Sequence, residues 1–280
     1  MGLNPLWQED FFLTVQGFYH HVQLLEANPY YIIDTEKDFL IHLVPISNNF
    51  TAEELITLQN QFKVENKQLV HLWEDVWLTK REQTISRIKS FLGLNKGIHG
   101  RKVKIVDLDT KQTSHFLSTN HLQGFVKAKY NYGLTFNDDV VAVASFSDKR
   151  LMPQKGENYT SAELVRFASK TGFTVIGGLS KLIKHYIKLQ KPNDLMTYAD
   201  RDWSLGKGYE KLSFQLSEAT KPLTLYLNKE NLLRFAPHRL PKNLLLAYKN
   251  QNVLNLDEFL LENGYVKVFN TGNLKYHLYL

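Results

Sequence analysis

Tyr209, Asp200, Glu163 and His121 are the side chains of this sequence best suited, by type and by neighbours, to move a proton. A phenol ordinarily titrates near a pKa of about 10 and holds its proton at neutral pH, so Tyr209 suits a general acid. A tyrosine packed at a helix end would look the same. Asp200 closes the run Tyr198-Ala199-Asp200, where a carboxylate can accept a proton or orient an amine, or cap the turn that follows. Glu163 can deprotonate an attacking amine and Arg166 can reach a phosphate. Their offset of three on one strand points them to opposite faces, and a structural salt bridge with either is the plainer alternative. His121 can be a base or touch substrate, but a lone histidine is more often a helix-end hydrogen bonder. The ten histidines show no metal-ligand spacing, so no metal is expected.

The second chemical feature is the stretch Val175-Ile176-Gly177-Gly178-Leu179-Ser180-Lys181. A strand, a glycine turn and a helix N-terminus leave backbone N–H groups pointing outward, which is a site for an anion. Ile176, Gly177, Gly178 and Leu179 supply the backbone, Ser180 adds a hydroxyl and Lys181 a point charge. A glycine turn that only lets helix and strand pack is the competing reading. Trp203 can stack on a base, although a tryptophan is more often core.

These groups need a frame, and the hydrophobic pattern supplies one. At 280 residues and 43% hydrophobic the chain can bury a substantial core. It has no run of about 18 apolar residues, no signal-peptide layout and no cysteine, so we expect no membrane span and a cytoplasmic protein. Charge is uneven: residues 1–79 hold 3 Lys/Arg and 11 Asp/Glu, a net of −8, whereas residues 80–280 hold 31 and 17, a net of +14. Such asymmetry suggests two units, and the basic one attracts a polyanion such as DNA or the phosphates of a nucleotide.

In the acidic part, Phe39–Ile46 and Leu69–Glu74 read as strands flanking a helix opened by a Thr51/Glu54 capping box, a compact α/β unit with a possible parallel pair. Thr79 and Glu82 repeat the capping-box pattern before a helix that ends at Gly93. That helix and the loop after it carry Arg81, Arg87, Lys89 and Arg101, which can grip a phosphate backbone or form a solvated connector. From Arg101 onward the chain reads strand (103–108), helix (113–123), a hairpin (132–136 and 140–146) turning at Asn137-Asp138-Asp139, and a long strand near 162–168. A helix from Gly178, a strand to Tyr198, a short helix near Tyr209 and a strand at 223–227 follow. The division expected is 1–79, a basic connector 80–100, a domain 101–230 and a C-terminal extension 231–280.

The order of these elements resembles the GNAT superfamily of acyl-CoA N-acyltransferases. Val175–Ser180 is similar to its Q/R-x-x-G-x-G/A pyrophosphate loop without the leading Gln or Arg, and Tyr209-Glu210-Lys211-Leu212-Ser213-Phe214 resembles its Y-x-x-x-G-F segment with Ser213 for the glycine. Glu163-Leu164 with Arg166-Phe167, His121-Leu122-Gln123-Gly124, Tyr198-Ala199-Asp200 and Gly272–Tyr276 resemble GNAT-like phage proteins, in which the domain often follows a Vsr-like or PD-(D/E)XK nuclease segment. The Tyr-Ala-Asp run is also similar to Mom-type DNA-modification enzymes. The resemblance covers about residues 69–280. It implies an α/β (α+β) fold: a mixed, mostly antiparallel sheet flanked by helices, with a smaller N-terminal α/β unit. It further implies acetyl-CoA or another acyl-CoA as donor, a cofactor held by Ile176–Lys181 between two splayed strands, and Tyr209 as the acid that protonates the departing thiolate.

Three functions fit. The first is an acyl-CoA-dependent transferase acting on an amine, such as that of a DNA base, in a phage or mobile-element setting. The second is a non-catalytic DNA-binding accessory protein with a degenerate GNAT fold, which the missing Gln/Arg and Ser213 favour. The third is a residual homing-type nuclease. It is disfavoured because Asp34, Glu36, Asp38, Glu74 and Asp75 supply acids but no (D/E)-x-K tripeptide ends either strand.

Overall fold

The computed structural model describes residues 6–250 and 255–280. The chain forms two compact units: one contains the residues up to Thr79, Asp200–Ser204 and Ala219–Asn273, the other Lys80–Ala199, Leu205–Glu218 and Leu274–Leu280. The C-terminal stretch is shared between the two units, with the division at Asn273.

In the first unit, helix α1 (Trp7–Gln16) precedes strands β1 (Gln23–Ala27), β2 (Tyr30–Asp34) and β3 (Phe39–Val44). Helix α2 (Ala52–Val64) then leads to β4 (Gln68–Trp73) and α3 (Glu74–Thr79). The sheet order is β1-β2-β3-β4, with β3 and β4 parallel across the α2 crossover. The Thr51/Glu54 capping box forms as the sequence reads: Thr51 Oγ1 accepts the Glu54 N–H and Glu54 Oε2 accepts the Thr51 N–H at 2.7 Å. The second box does not form. Thr79 ends α3, donating its hydroxyl to the Asp75 carbonyl at 2.6 Å, and the next helix starts at Arg81 with Lys80 at the N-cap and no side-chain cap. Glu74 and Asp75 are buried and bonded: Glu74 Oε2 accepts the Ile46 N–H at 2.9 Å, and Asp75 takes a two-pronged contact from Arg234 at 2.7 and 2.6 Å. Among the described residues no group of three His, Asp or Glu is arranged to hold a metal.

The second unit runs through α4 (Arg81–Leu92), β5 (Lys96–His99), a 3-10 turn (Gly100–Lys102), β6 (Lys104–Asp107) and α5 (Thr110–Asn120). Next come the hairpin β7 (Tyr130–Phe136) and β8 (Asp139–Phe146), the short β9 (Arg150–Leu151), β10 (Thr160–Ser169), β11 (Phe173–Ile176), α6 (Gly178–Gln190) and β12 (Asp194–Asp200). Helix α7 (Lys207–Glu210) and β13 (Gln215–Ala219) follow. Asn137 and Asp138, at φ 50° and 64°, make the tight turn expected of the hairpin.

The chain returns to the first unit with β14 (Thr224–Asn228), β15 (Arg234–Phe235), α8 (Lys242–Asn250), α9 (Leu256–Glu262) and β16 (Tyr265–Phe269). It ends on β17 (Asn273–Tyr279). The main sheet of the second unit has the order β13-β17-β12-β10-β8-β7-β6, with β9 on β10. Its β6–β7, β7–β8 and β8–β10 pairs are antiparallel and β10–β12 is parallel. This is a mixed, mostly antiparallel sheet flanked by helices, as the resemblance implies.

One strand is assigned differently from the sequence reading. The 223–227 stretch is β14, which pairs with β15 and β16 in a separate sheet, while β13 and β17 complete the main one. Every residue of β13 is exposed, so an edge strand of sequence Gln-Leu-Ser-Glu-Ala offers no buried alternation to read. No helix among the described residues is long and apolar enough to cross a membrane.

Candidate active site

The site of interest lies where β10 and β12 part. Their parallel register runs Ser161↔Asp194 to Leu164↔Thr197 and stops, although β10 continues to Ser169 and β12 to Asp200. Thr197 Oγ1 donates to the Leu164 carbonyl at 3.0 Å, closing the last rung. At the same place β10 carries a bulge against β8: Leu164 faces Phe146, but the next partner, Ser145, faces Arg166. One extra residue resets the alternation. Ala162, Leu164 and Phe167 consequently share the core cluster beneath α6, and Ala168 joins Phe116 and Leu117 of α5 on the other side. The bulge therefore puts Glu163 and Arg166 on one face, against the opposite-face expectation from their spacing.

Burial raises the Glu163 carboxyl above its ordinary pKa, and the positive charges of Arg150 and Arg166 only partly offset this. Its main chain is held on both sides by Ser147, whose Oγ accepts the Glu163 N–H at 2.9 Å and whose N–H goes to the Glu163 carbonyl at 2.9 Å. His121 ends α5, with its N–H on the Leu117 carbonyl at 2.9 Å. Its Nδ1 accepts the Gln123 N–H at 3.1 Å, which leaves the ring proton on Nε2. Burial, then Arg166 and Arg87, depress this imidazole to a pKa of about 3. So weak a base does not suit proton abstraction at neutral pH. With Nδ1 taken by the Gln123 N–H, the imidazole suits a substrate contact through Nε2–H better than a base.

The glycine turn is built as expected in outline and differently in detail. Gly177 adopts φ 74° and caps α6 with no side-chain bond, so no capping side chain occupies the first N–H groups of the helix. Gly178 is the buried residue of the turn. A β-carbon there would lie 2.8 Å from Val175 Cγ1 and 3.0 Å from Leu134 Cδ1, so this glycine serves strand–helix packing. The Lys181 ammonium is likewise occupied, donating to the carbonyls of Gly100 at 2.9 Å and Val103 at 2.6 Å. Those bonds fix the 3-10 turn, while β5 pairs in parallel with β11 up to Ile176↔His99. A β-carbon on Gly100 would stand 2.9 Å from the Ile176 carbonyl, so this turn lies against the glycine turn. Arg101 and Lys102, both exposed, thus flank the start of α6. Arg101 is separate from Arg81, Arg87 and Lys89, which ride on α4, where the Arg87 guanidinium covers the Phe91 ring at 4.7 Å.

Tyr209 sits on α7, partly buried against the core, with Phe214 and Tyr276 at ring-centroid distances of 5.6 and 5.7 Å. Ser213 has φ 67°, the left-handed region that explains why glycine belongs at this point of the Y-x-x-x-G-F pattern. Asp200 and Trp203 fall in the other unit. Asp200 Oδ1 accepts the Asp202 N–H at 3.1 Å and its carbonyl accepts the N–H groups of Trp203 and Ser204, which is turn capping. Trp203 is only 7% exposed, a core residue and not a stacking platform. Sequence reasoning missed Tyr276 and Glu210; no local signal ties Gly206 to a tyrosine seventy residues later in the chain.

No protein-family model and no curated protein matches this sequence. Several solved structures align with it at low identity. An acetyltransferase of Bacillus subtilis in complex with CoA shares 13% identity over 64% of this chain and 99% of its own, with a TM-score of 0.36. A GNAT family acetyltransferase of Elizabethkingia anophelis with acetyl-CoA bound shares 10% over 64% and 99%, with a TM-score of 0.35. An acetyltransferase of Bacillus cereus shares 12% over 64% and 99%, also with a TM-score of 0.35.

Proposed function

We propose that the second unit is an acyl-CoA-dependent N-acyltransferase domain. The observation that carries this reading is the parting of β10 from β12 beyond Leu164 and Thr197, in the unit whose α6 opens on a glycine turn without a side-chain cap. A strand edge without a partner seeks donors and acceptors from an extended chain. The pantetheine arm of CoA carries two amides and ends in a pyrophosphate. The arm suits the open edge of β10, and the pyrophosphate suits the N–H groups of Gly178, Leu179 and Ser180. Arg101 and Lys102 add positive charge at that end and are assigned here to cofactor phosphates. Lys181 and the position of Gly178 contribute by holding the turn.

An acyl-CoA supplies a thioester carbonyl to an amine. Glu163, with its raised carboxyl pKa, accepts the proton that the amine sheds, and Arg166 and the His121 N–H orient the groups around it. Tyr209 keeps its proton until the thiolate leaves and then gives it up. The acceptor proposed is an amine on a nucleic-acid base, in a phage or mobile-element setting. Arg150 and Arg166 near Glu163, and Arg87 near His121, on a strongly basic part of the chain support it. The reading as a non-catalytic DNA-binding protein keeps one specific support: the Lys181 charge is spent inside the fold.

Titration with acetyl-CoA followed by calorimetry, and release of free thiol when amine-bearing oligonucleotides are added, separate the two. Binding and acceptor-dependent thiol release are expected. A folded protein that binds no CoA species at millimolar concentration would leave DNA binding alone.

A further inference from the structure

Tyr276 is fully buried on β17, and its hydroxyl lies 3.1 Å from the Leu205 carbonyl oxygen and 3.1 Å from Glu210 Oε1. Those acceptors bracket the segment that carries Tyr209. Leu205 leads into α7 and Glu210 ends it. Within the segment, the Gly206 carbonyl accepts the N–H groups of Tyr209 and Glu210, and the Tyr209 carbonyl accepts those of Leu212 and Phe214. A helix of four residues has too few hydrogen bonds to hold its own place. It needs an outside anchor, and one buried phenol reaches both ends. Gly206 records how close that anchor comes. It adopts φ 79°, and a β-carbon on it would overlap the Tyr276 hydroxyl. The phenol also keeps its proton: burial, then Glu210, raises it to a pKa of about 12.

We propose that Tyr276 is a positioning residue for Tyr209, acting through Glu210 and the Leu205 carbonyl to fix where the Tyr209 hydroxyl stands. The proposal rests on the reading of Tyr209 as the proton donor and adds to it a residue from the last strand of the chain. Tyr276 touches neither acyl donor nor acceptor in this account. Its aromatic ring packs in the core and against the Tyr209 ring, and its hydroxyl holds the segment at both ends.

The test uses the full chain with carbon-13 at the tyrosine Cζ, in wild type and in Tyr276→Phe, Glu210→Ala and Glu210→Gln. The Tyr209 resonance is assigned through Tyr209→Phe, and Tyr226, in the other unit, is the control. In Tyr276→Phe and Glu210→Ala the Tyr209 line should shift and broaden while Tyr226 stays. Glu210→Gln, which keeps an acceptor, should restore the wild-type line. Glu210 is exposed, so its variants keep the experiment decisive even if Tyr276→Phe fails to fold. In initial-rate assays Tyr276→Phe should lower kcat about tenfold at unchanged KM for acetyl-CoA, as a small misplacement of a proton donor does. An unmoved Tyr209 line in the folded variants, or a loss carried by KM alone, would overturn the proposal. A wild type with no turnover would remove the transferase reading, and the resonances would still decide whether Tyr276 positions Tyr209.

Discussion

Leu164 and Thr197 face each other at the last rung of the parallel β10–β12 ladder, joined by the Thr197 hydroxyl on the Leu164 carbonyl at 3.0 Å. Below that rung the strands are zipped to Ser161 and Asp194; above it each continues without the other. Hydrogen bonding thus ends at a defined pair, next to the bulge that turns Glu163 and Arg166 to one face.

As the proposed base, Glu163 should give the reaction its acid limb. Burial holds its carboxyl above the ordinary range, so acyl transfer should rise with pH through that raised value as the carboxylate forms. In Glu163→Gln the limb should vanish and kcat/KM should drop about 100-fold or more, in line with the loss of a general base. A pH profile of kcat/KM for both proteins checks this; an unchanged limb would assign it to another group.

Gly178 and Gly177 should fail for different reasons. Gly178→Ala drives a methyl group into Val175 and Leu134 and should cost about 1–3 kcal/mol of overpacking. Gly177→Ala meets no neighbour but is held at φ 74°, a penalty of about 1–2 kcal/mol. Chemical denaturation measures both. A Gly178→Ala protein as stable as wild type would show that its turn does not pack as described.

Much of this was legible in the sequence. The Thr51/Glu54 cap, the turn at Asn137-Asp138 and the helix after Gly177 are local features, and each formed where its residues said it would. What stayed hidden depends on residues distant in sequence. The bulge at Leu164–Arg166 is set by pairing with β8, so a spacing of three could not reveal its reversal of faces. Lys181 reads as a free charge until the 3-10 turn at Gly100 folds beneath it. Tyr276 reaches Glu210 only once β17 has joined the sheet.

Ser213 occupies a left-handed conformation that glycine adopts without strain. Ser213→Gly should therefore stabilise the protein by up to about 1 kcal/mol, the conformational relief exceeding the added entropy of the unfolded chain. Thermal melting tests it, and a lowered Tm would mean that the serine side chain makes a contact worth more than the strain.

Asp194 secures the closed end of the β10–β12 pair. Its side chain is buried and accepts from Lys155 and Tyr159 at 2.8 Å each and from Ser161. Burial alone would raise its pKa, but these bonds and the Lys155 charge hold it below the ordinary carboxylate value. Its stabilisation is full above the unfolded-state pKa and is lost as pH falls through the lowered folded one. Asp194→Asn should cost about 2 kcal/mol or more at neutral pH, with the gap to wild type closing in acid. Urea unfolding across that range measures the gap, and one that widened in acid would refute the assignment.

The most direct measurement is acetyl-CoA binding to Ser180→Glu. Ser180 is the third residue of α6, where a carboxylate complements the helix dipole and should leave stability equal or raised by about 0.3–1 kcal/mol. The same carboxylate would stand against the pyrophosphate and should weaken binding at least about tenfold. Wild-type binding in calorimetry, lost in a Ser180→Glu protein that melts no lower, is the result this account predicts. Equal affinity in the two proteins would contradict it, because the N-terminus of α6 could not then be where the cofactor's phosphates sit.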